Sequence, residues 1–494
     1  MKPNQLYSES SRLKQRLEVD AGQIYISSPY VNILASSPDK FLAYHTLFGN
    51  LSWIDPELAE YLKRASTPIA FEDLARDVSE DVAQVLLNSY YFARPDEERN
   101  LINEWLAERQ SQTTSGYLVG GLQISSSNAC NFACSYCFAD ASDKRSPVRQ
   151  AIAKGPANIS FELAEQAITK VLSLARVHGR EQIAVKFLGR EPLINWKVMD
   201  RLFETFRDSN IIWAVTTNGS LLSQDVAEKL KEHNVLVMVS LDGPPSVNDR
   251  LRVLKVGAGG TYDLADSALR NLSEVGHPFG VSTVVSRVTD FGAMRGFIDH
   301  LVEFGARELE LTLVMQTNTL RAQTAAPDNT VLAGQLVELY TYATNKGLLV
   351  HGDWVDPFHR ILATHKFRSE ERIAQPLGAS CSATSHQISL EPSGDMFPCR
   401  AMSSHYGHID DLDAVLHSDA YRDVVMRTYF NVPFCRNCEL EGFCQGTCLG
   451  SAEEANKDIY KPQEDYCRLY RLTTRLLLNT LEPVTMSEES PSYA

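Results

Sequence analysis

Cys130-Asn131-Phe132-Ala133-Cys134-Ser135-Tyr136-Cys137 sets three cysteines in a C-x3-C-x2-C spacing, directly after Leu118–Ser127, an apolar-to-polar run that reads as a strand. Three thiolates on one tight loop can hold three irons of a four-iron cluster and leave the fourth iron open to a small-molecule ligand. A zinc site or a purely structural iron–sulfur site is the alternative; zinc would want a fourth Cys or His close by, usually in paired C-x2-C units. Outward from this loop the chain alternates between two periodicities. Strands are expected at Leu122–Ser126, Ile183–Leu188, Ile211–Thr216, Val235–Leu241, Phe279–Val285 and Leu309–Val314. Helices are expected between them at Phe161–His178, Trp196–Asp208, Gln224–His233, Tyr262–Gly276 and Gly292–Phe304. Six β–α units in succession mean an α/β fold with a parallel sheet, closed into a barrel or partial barrel. Sites in such folds lie at the carboxyl ends of the strands. The cysteine loop follows the first strand at that end.

The chain has 494 residues, a formal charge of −15 and an ordinary globular composition, with 44% apolar and 22% charged residues. That charge argues against nucleic acid or an anionic membrane surface as partner. No stretch of eighteen apolar residues is present, so no membrane-spanning helix is expected. The first twenty residues lack the apolar core of a signal peptide, which points to the cytoplasm. In that compartment ten cysteines read as metal ligands or catalytic thiols rather than disulfides.

Residues 1–20 read as a polar arm and 476–494 as a polar tail. Within 21–112, alternation from Gln23 to Tyr44 suggests one or two strands. Three helices follow: Pro56–Arg64 behind the N-cap Asp55, then Glu72–Val78 and Glu80–Tyr91. A small winged-helix module is one reading and a simple N-terminal cap is the other. The core spans 118–316, a bridging segment with a helix at Val331–Lys346 spans 317–375, and a cysteine-rich region with little periodicity spans 376–475. In that region Cys381 is followed by twelve residues, Gly394, four residues and Cys399; then come Cys435-x2-Cys438-x5-Cys444-x3-Cys448 and Cys467. A zinc ribbon would account for four of these seven and leave Cys381, Cys399 and Cys467 unexplained.

The strand ends carry further short motifs. The second is followed by Leu188-Gly189-Arg190-Glu191-Pro192, the third by Thr217-Asn218-Gly219, and the fourth by Ser240-Leu241-Asp242-Gly243-Pro244 with Asn248-Asp249-Arg250-Leu251-Arg252 beyond. With the cysteine loop, and in this order, they resemble the motifs of radical S-adenosylmethionine (radical SAM) enzymes. The seven later cysteines resemble the SPASM pattern. The resemblance covers 118 to about 475 and implies a partial (β/α)6 TIM-like barrel with a C-terminal SPASM domain. It also implies S-adenosylmethionine and three [4Fe–4S] clusters as cofactors. On that resemblance Cys130, Cys134 and Cys137 hold the SAM-binding cluster. Gly189, Glu191 and Pro192 receive the methionine ammonium, and Thr217, Asn218 and Ser240 lie at the ribose. Arg252 pairs with the methionine carboxylate, with Arg250 as rival, and Tyr136 lies near the adenine.

Arg190 replaces the second glycine of the G-G-E-P motif, which puts the local backbone geometry in doubt; its side chain either points away or reaches a substrate carboxylate. The family's wiring implies an outer auxiliary cluster on Cys435, Cys438, Cys444 and Cys467, and an inner one on Cys381, Cys399 and Cys448. The inner cluster is one ligand short: Gln387 stands where some relatives have cysteine, and His386 or a substrate thiolate could take the place.

SPASM enzymes act mostly on peptides and proteins, and the N-terminal module resembles the leader-binding, PqqD-like element. The resemblance therefore implies a maturase that abstracts a hydrogen atom from a ribosomally made peptide to install a thioether or C–C crosslink. It also implies an external electron donor of flavodoxin or ferredoxin type. Alternatives are a sulfatase-maturase-like formylglycine former, whose relatives carry Asp where this chain has Arg400, a peptide epimerase or splicing enzyme, and a non-catalytic scaffold. No general base is assignable.

Overall fold

This computed structural model describes residues 22–48, 50–144, 146–257, 259–315, 328–368, 381–384, 386–444 and 446–481. The expected arm at 1–20 and residues 482–494 of the expected tail lie outside the described residues, as do 316–327 and 369–380 of the bridging region and its border; residues 476–479, expected in the tail, instead end the last helix.

A ten-stranded sheet organises the molecule. Its strands, in chain order, are β1 (Gly121–Ile124), β2 (Ile183–Phe187), β3 (Ile211–Thr217), β4 (Leu236–Ser240), β5 (Phe279–Val285), β6 (Glu308–Leu313), β7 (Leu349–His351), β8 (Gln387–Leu390), β9 (Asp395–Phe397) and β10 (Gly407–His408). The spatial order is β7-β6-β5-β4-β3-β2-β1-β8-β9-β10. Strands β1 to β8 are parallel to their neighbours, while β9 and β10 return as antiparallel partners. Helices Phe161–Val177, Trp196–Thr205, Gln224–Glu232, Tyr262–Glu274 and Met294–Glu303 connect successive strands. The six expected strands are present, and the sheet extends at both edges by strands the sequence did not announce: β7 after the helix Asn329–Asn345, and β8 from the cysteine-rich region. At three and four residues these are too short to show a period.

The inward apolar positions of the strands, such as Val185, Val215, Val239, Val281 and Leu311, share one core with helix residues Ile168, Leu202, Leu230, Leu269 and Ile298. Ile388, Met396, Leu449 and Leu469 of the C-terminal region belong to that same core. The C-terminal helix Glu464–Asn479 is held to the bridging region: Asn329 Nδ2 donates to the Asp465 carbonyl at 2.7 Å and Thr473 Oγ1 to the Trp354 carbonyl at 3.0 Å.

The N-terminal module has its own core, built around Ala43, Ile54, Leu58, Leu74, Leu86 and Phe92. It comprises an antiparallel sheet of Val31–Ser37, Lys40–His45 and Leu51–Ile54, and helices Pro56–Arg64, Phe71–Val78 and Glu80–Asn88. Asp55 caps the first helix, accepting from Leu58 N at 2.7 Å. A second small sheet places Ile24–Ser27 between Ile69–Ala70 and Phe92–Ala93. The module docks on the C-terminal region, where Tyr44 Oη donates to the Glu439 carbonyl at 2.8 Å and its ring meets Phe443 edge-on.

At the carboxyl end of β7, Gly352 has φ of +149°, and a β-carbon there would lie 2.5 Å from the Leu311 carbonyl oxygen. This residue turns the chain so that Asp353 projects into the molecule. Gly352→Ala is expected to destabilise the fold by at least about 1–3 kcal/mol, read as a lowered midpoint in denaturant titration.

Candidate active site

The cysteine loop is built by being tied down on both sides. Ala133 N donates to the Val253 carbonyl at 2.8 Å, Ser135 N to the Leu251 carbonyl at 2.9 Å and Lys255 N to the Asn131 carbonyl at 2.9 Å. These bonds hold the loop against the segment that carries Arg252. On the other side Asn131 donates to Ser220 Oγ at 2.8 Å and accepts from Asn218 Nδ2 at 2.9 Å, which joins the loop to the turn after β3.

Cys130, Cys134 and Cys137 line a cavity of about 340 Å³ at the carboxyl ends of the strands. Gly189, Thr217, Asn218, Ser240, Arg252 and Tyr136 line the same cavity. Glu191 does not face it openly: its carboxylate is fully buried and accepts from Leu193 N at 3.0 Å, Thr217 Oγ1 at 2.7 Å and Asn218 N at 2.8 Å. Burial raises its pKa and the three hydrogen bonds oppose the rise. Glu191 therefore fixes the backbone of the β2 turn against the β3 turn, and Pro192 behind it is buried as the first residue of a short 3-10 turn. Only the first motif glycine needs its freedom, since Gly189 has φ of +150° whereas Arg190 is absent from the positive-φ residues. The substitution at Arg190 thus leaves the turn undistorted.

The rivalry between two arginines resolves by geometry. Arg250 is exposed, while Arg252 is buried, faces the cavity and pairs with Asp242 at 2.9 Å. Asp242 also accepts a hydrogen bond from the buried Tyr136 hydroxyl, and from Val284 N at 2.9 Å. The guanidinium lies 5.5 Å from the Tyr136 ring centroid. Asp242 was passed over in the sequence as part of a turn, yet it orients both cavity-facing groups.

The later cysteines divide into two sets. Cys435, Cys438, Cys444 and Cys467 line a second cavity of about 190 Å³. Cys399 and Cys448 line the first cavity together with the loop cysteines, and Cys381 is their electrostatic neighbour. No disulfide is present among the ten cysteines. Burial is the leading cause that holds Cys134, Cys435 and Cys448 protonated, with pKa pushed up to about 12, and Cys444 at about 11. Thiols gathered in sets of three, three and four, most of them partly buried, fit a metal that displaces their protons. His386 packs beside Gly120 and Arg180.

A further acid enters the first cavity. Asp353 lines the cavity, with its side chain exposed there. Burial, then the nearby Asp356 and Glu310 carboxylates, raise its pKa to about 6. Tyr466 and Tyr470 of the C-terminal helix, stacked with centroids 6.2 Å apart, also line the cavity.

The sequence pattern of the Radical SAM superfamily matches residues 124–292, and that of the SPASM iron-sulfur cluster-binding domain matches 381–439. Radical SAM cyclopropyl synthase TigE of Paramaledivibacter caminithermalis is 26% identical over 464 residues, covering 91% of this chain and 95% of TigE. Two solved structures share the fold. Native anSMEcpe with bound AdoMet and Cp18Cys peptide matches with a TM-score of 0.57 and 18% identity over 72% of this chain and 96% of its own. Streptococcus suis SuiB bound to precursor peptide SuiA matches with a TM-score of 0.51 and 17% identity over 90% and 99%. The fold and the cysteine sets define an iron–sulfur enzyme that uses S-adenosylmethionine. The chain carries a radical SAM domain and, C-terminal to it, an iron–sulfur cluster-binding SPASM domain.

Asp242→Asn is expected to cost roughly 3–5 kcal/mol by leaving Arg252 charged and unpaired in a buried site. It is also expected to weaken S-adenosylmethionine binding, measured by equilibrium dialysis of the reconstituted protein.

Proposed function

We propose that this chain is a maturase that abstracts a hydrogen atom from a ribosomally made peptide and installs an intramolecular crosslink. One observation carries the reading: one cavity is lined both by Cys130, Cys134 and Cys137 and by Cys399 and Cys448. In this reading the loop cysteines hold the S-adenosylmethionine-binding [4Fe–4S] cluster. Cys435, Cys438, Cys444 and Cys467 hold a complete outer cluster. Cys381, Cys399 and Cys448 hold an inner one with an iron left for a substrate thiolate or another donor. When bound, the loop cluster and S-adenosylmethionine supply a 5′-deoxyadenosyl radical able to take hydrogen from an unactivated C–H bond.

The protein's own part is placement. Gly189 and the peptide after it, braced by Glu191 and Pro192, receive the methionine ammonium; Arg252 receives its carboxylate. Thr217, Asn218 and Ser240 take the ribose, and Tyr136 the adenine side. Tyr466 and Tyr470 close the cavity against water. Asp353, with no hydrogen bond or ion pair to another described residue, accepts at its Oδ atoms the proton that leaves as the crosslink forms, and the cluster that Cys381, Cys399 and Cys448 would hold could take the remaining electron. The N-terminal module takes the unmodified part of the precursor, and a flavodoxin- or ferredoxin-type protein supplies electrons in the cytoplasm. No helix among the described residues is long and apolar enough to cross a membrane.

The near full-length likeness to a cyclopropyl synthase favours carbon–carbon bond formation over the thioether. A peptide partner is favoured by the likeness to SuiB, whose structure holds its precursor peptide. The formylglycine alternative is disfavoured because the residue after Cys399 is Arg400, a buried and paired guanidinium rather than a free acid.

Anaerobic incubation of reconstituted enzyme with a peptide encoded beside it, S-adenosylmethionine and reductant is expected to remove two hydrogens without consuming a thiol, read by intact mass. Unchanged mass with one deuterium gained from heavy water would instead mean epimerisation. Asp353 is protonated below about pH 6, so the ratio of product to 5′-deoxyadenosine is expected to fall as pH drops through that value. In Asp353→Asn the ratio is expected to be low and independent of pH.

A further inference from the structure

Arg190 and Arg400 both depart from the motifs this chain otherwise follows, and both converge on one carboxylate. Arg190 Nη2 lies 2.6 Å from Asp143 Oδ2, and Arg400 Nη2 lies 2.6 Å from Asp143 Oδ1, so each oxygen is taken by a different arginine. Arg190 Nη1 also pairs with Asp140 at 2.6 Å. Behind Arg400, Glu391 pairs with Arg149 at 2.5 Å, and Arg149 Nη2 donates to the Cys399 carbonyl at 3.1 Å. Three cations face three anions, the balance that burial requires.

The covalent attachment of these groups gives the network its meaning. Asp143 ends the short helix Phe138–Asp143, which begins at the residue after Cys137. Arg190 stands in the turn after β2 that faces the cavity, and Arg400 follows Cys399. One carboxylate thus ties together the helix leaving the cysteine loop, the S-adenosylmethionine motif and the loop that bears an inner auxiliary cysteine. Arginine–carboxylate bonds are directional as well as strong, so they fix orientation and not only proximity.

We propose that Asp143, Arg190 and Arg400 form a coupling bridge that holds the S-adenosylmethionine loop and the inner auxiliary loop as one unit, with Arg400 setting the charge beside the inner auxiliary centre. The inference rests on the ligand assignment given above. These are positioning residues, and their charge effect has a sign. A cation beside an iron–sulfur centre stabilises the reduced form, which carries the extra negative charge. Loss of the Arg400 charge lowers the potential of the inner centre. Loss of the Asp143 charge leaves Arg400 uncompensated and raises it.

The test uses the reconstituted full chain and the variants Arg190→Gly, Asp143→Asn, Arg400→Gln and Arg400→Lys. Iron per chain, the S-adenosylmethionine dissociation constant and the EPR-monitored potential of the inner centre are measured for each. Arg190→Gly restores the motif glycine, yet it is expected to weaken S-adenosylmethionine binding by about tenfold, equivalent to about 1.4 kcal/mol. Arg400→Gln is expected to shift the potential down and Asp143→Asn to shift it up, with Arg400→Lys close to wild type. A purely structural role would not give opposite signs. Tighter or unchanged S-adenosylmethionine binding in Arg190→Gly, or potentials that stay fixed or move together, would overturn the proposal. If Arg400→Gln fails to retain iron, an upward shift in Asp143→Asn with Arg400→Lys close to wild type supports the bridge, and a fixed or lowered potential in Asp143→Asn overturns it. A Cys399→Ala protein with full iron would overturn the ligand assignment instead, independently of the bridge.

Discussion

The pairing of β1 with strands from opposite ends of the chain is the constraint on which the rest depends. On one side β1 pairs with β2, Leu122 facing Val185; on the other it pairs with β8, Leu122 facing Ile388. The second pairing draws the cysteine-rich region onto the sheet edge that would otherwise stay open. Because β8 turns back through β9, Cys399 comes to share a cavity with the loop that leaves β1. Had β8 paired elsewhere, two cysteine sets would occupy two unrelated sites.

Around that junction the electrostatics follow one rule: fixed charges are cancelled in place, and few are left over. Asp242 is matched by Arg252, Asp143 by two arginines, Glu391 by Arg149. Such pairs add little net stability in a buried site, but each is costly to break, so they define geometry more than they strengthen the fold. Against this background the unpaired carboxylate of Asp353 and the protonated thiols stand out as groups held ready for something absent from the polypeptide alone.

Much of this was legible in the sequence where periodicity is strong. Phe279–Val285 is the strand its alternation announces, and Pro56–Arg64 is the helix its Asp55 cap announces. Spacing alone would group Cys448 with Cys435, Cys438 and Cys444; the resemblance, not the spacing, implies the other division, and Cys448 lines a cavity with Cys399 while Cys435, Cys438, Cys444 and Cys467 line another. Other features were closed to reading. β7 and β8, at three and four residues, span too few alternations to show a pattern, and the partners of Asp143 are scattered over the chain with no local signal. Asp353 was one acid among several in the bridging segment; only the turn at Gly352 shows which way it points.

The β1–β8 pairing also has a consequence for biosynthesis. Gly121 finds its partner Gln387 only after the intervening chain has left the ribosome. At about 5–20 residues per second, that interval is on the order of ten seconds to a minute. Throughout it one edge of a buried-type strand stays unsatisfied beside three free cysteine thiols. Nascent chains of this enzyme therefore pass through a window in which edge-to-edge association and thiol oxidation compete with completion of the sheet, and anaerobic, chaperone-rich expression conditions should favour the native product.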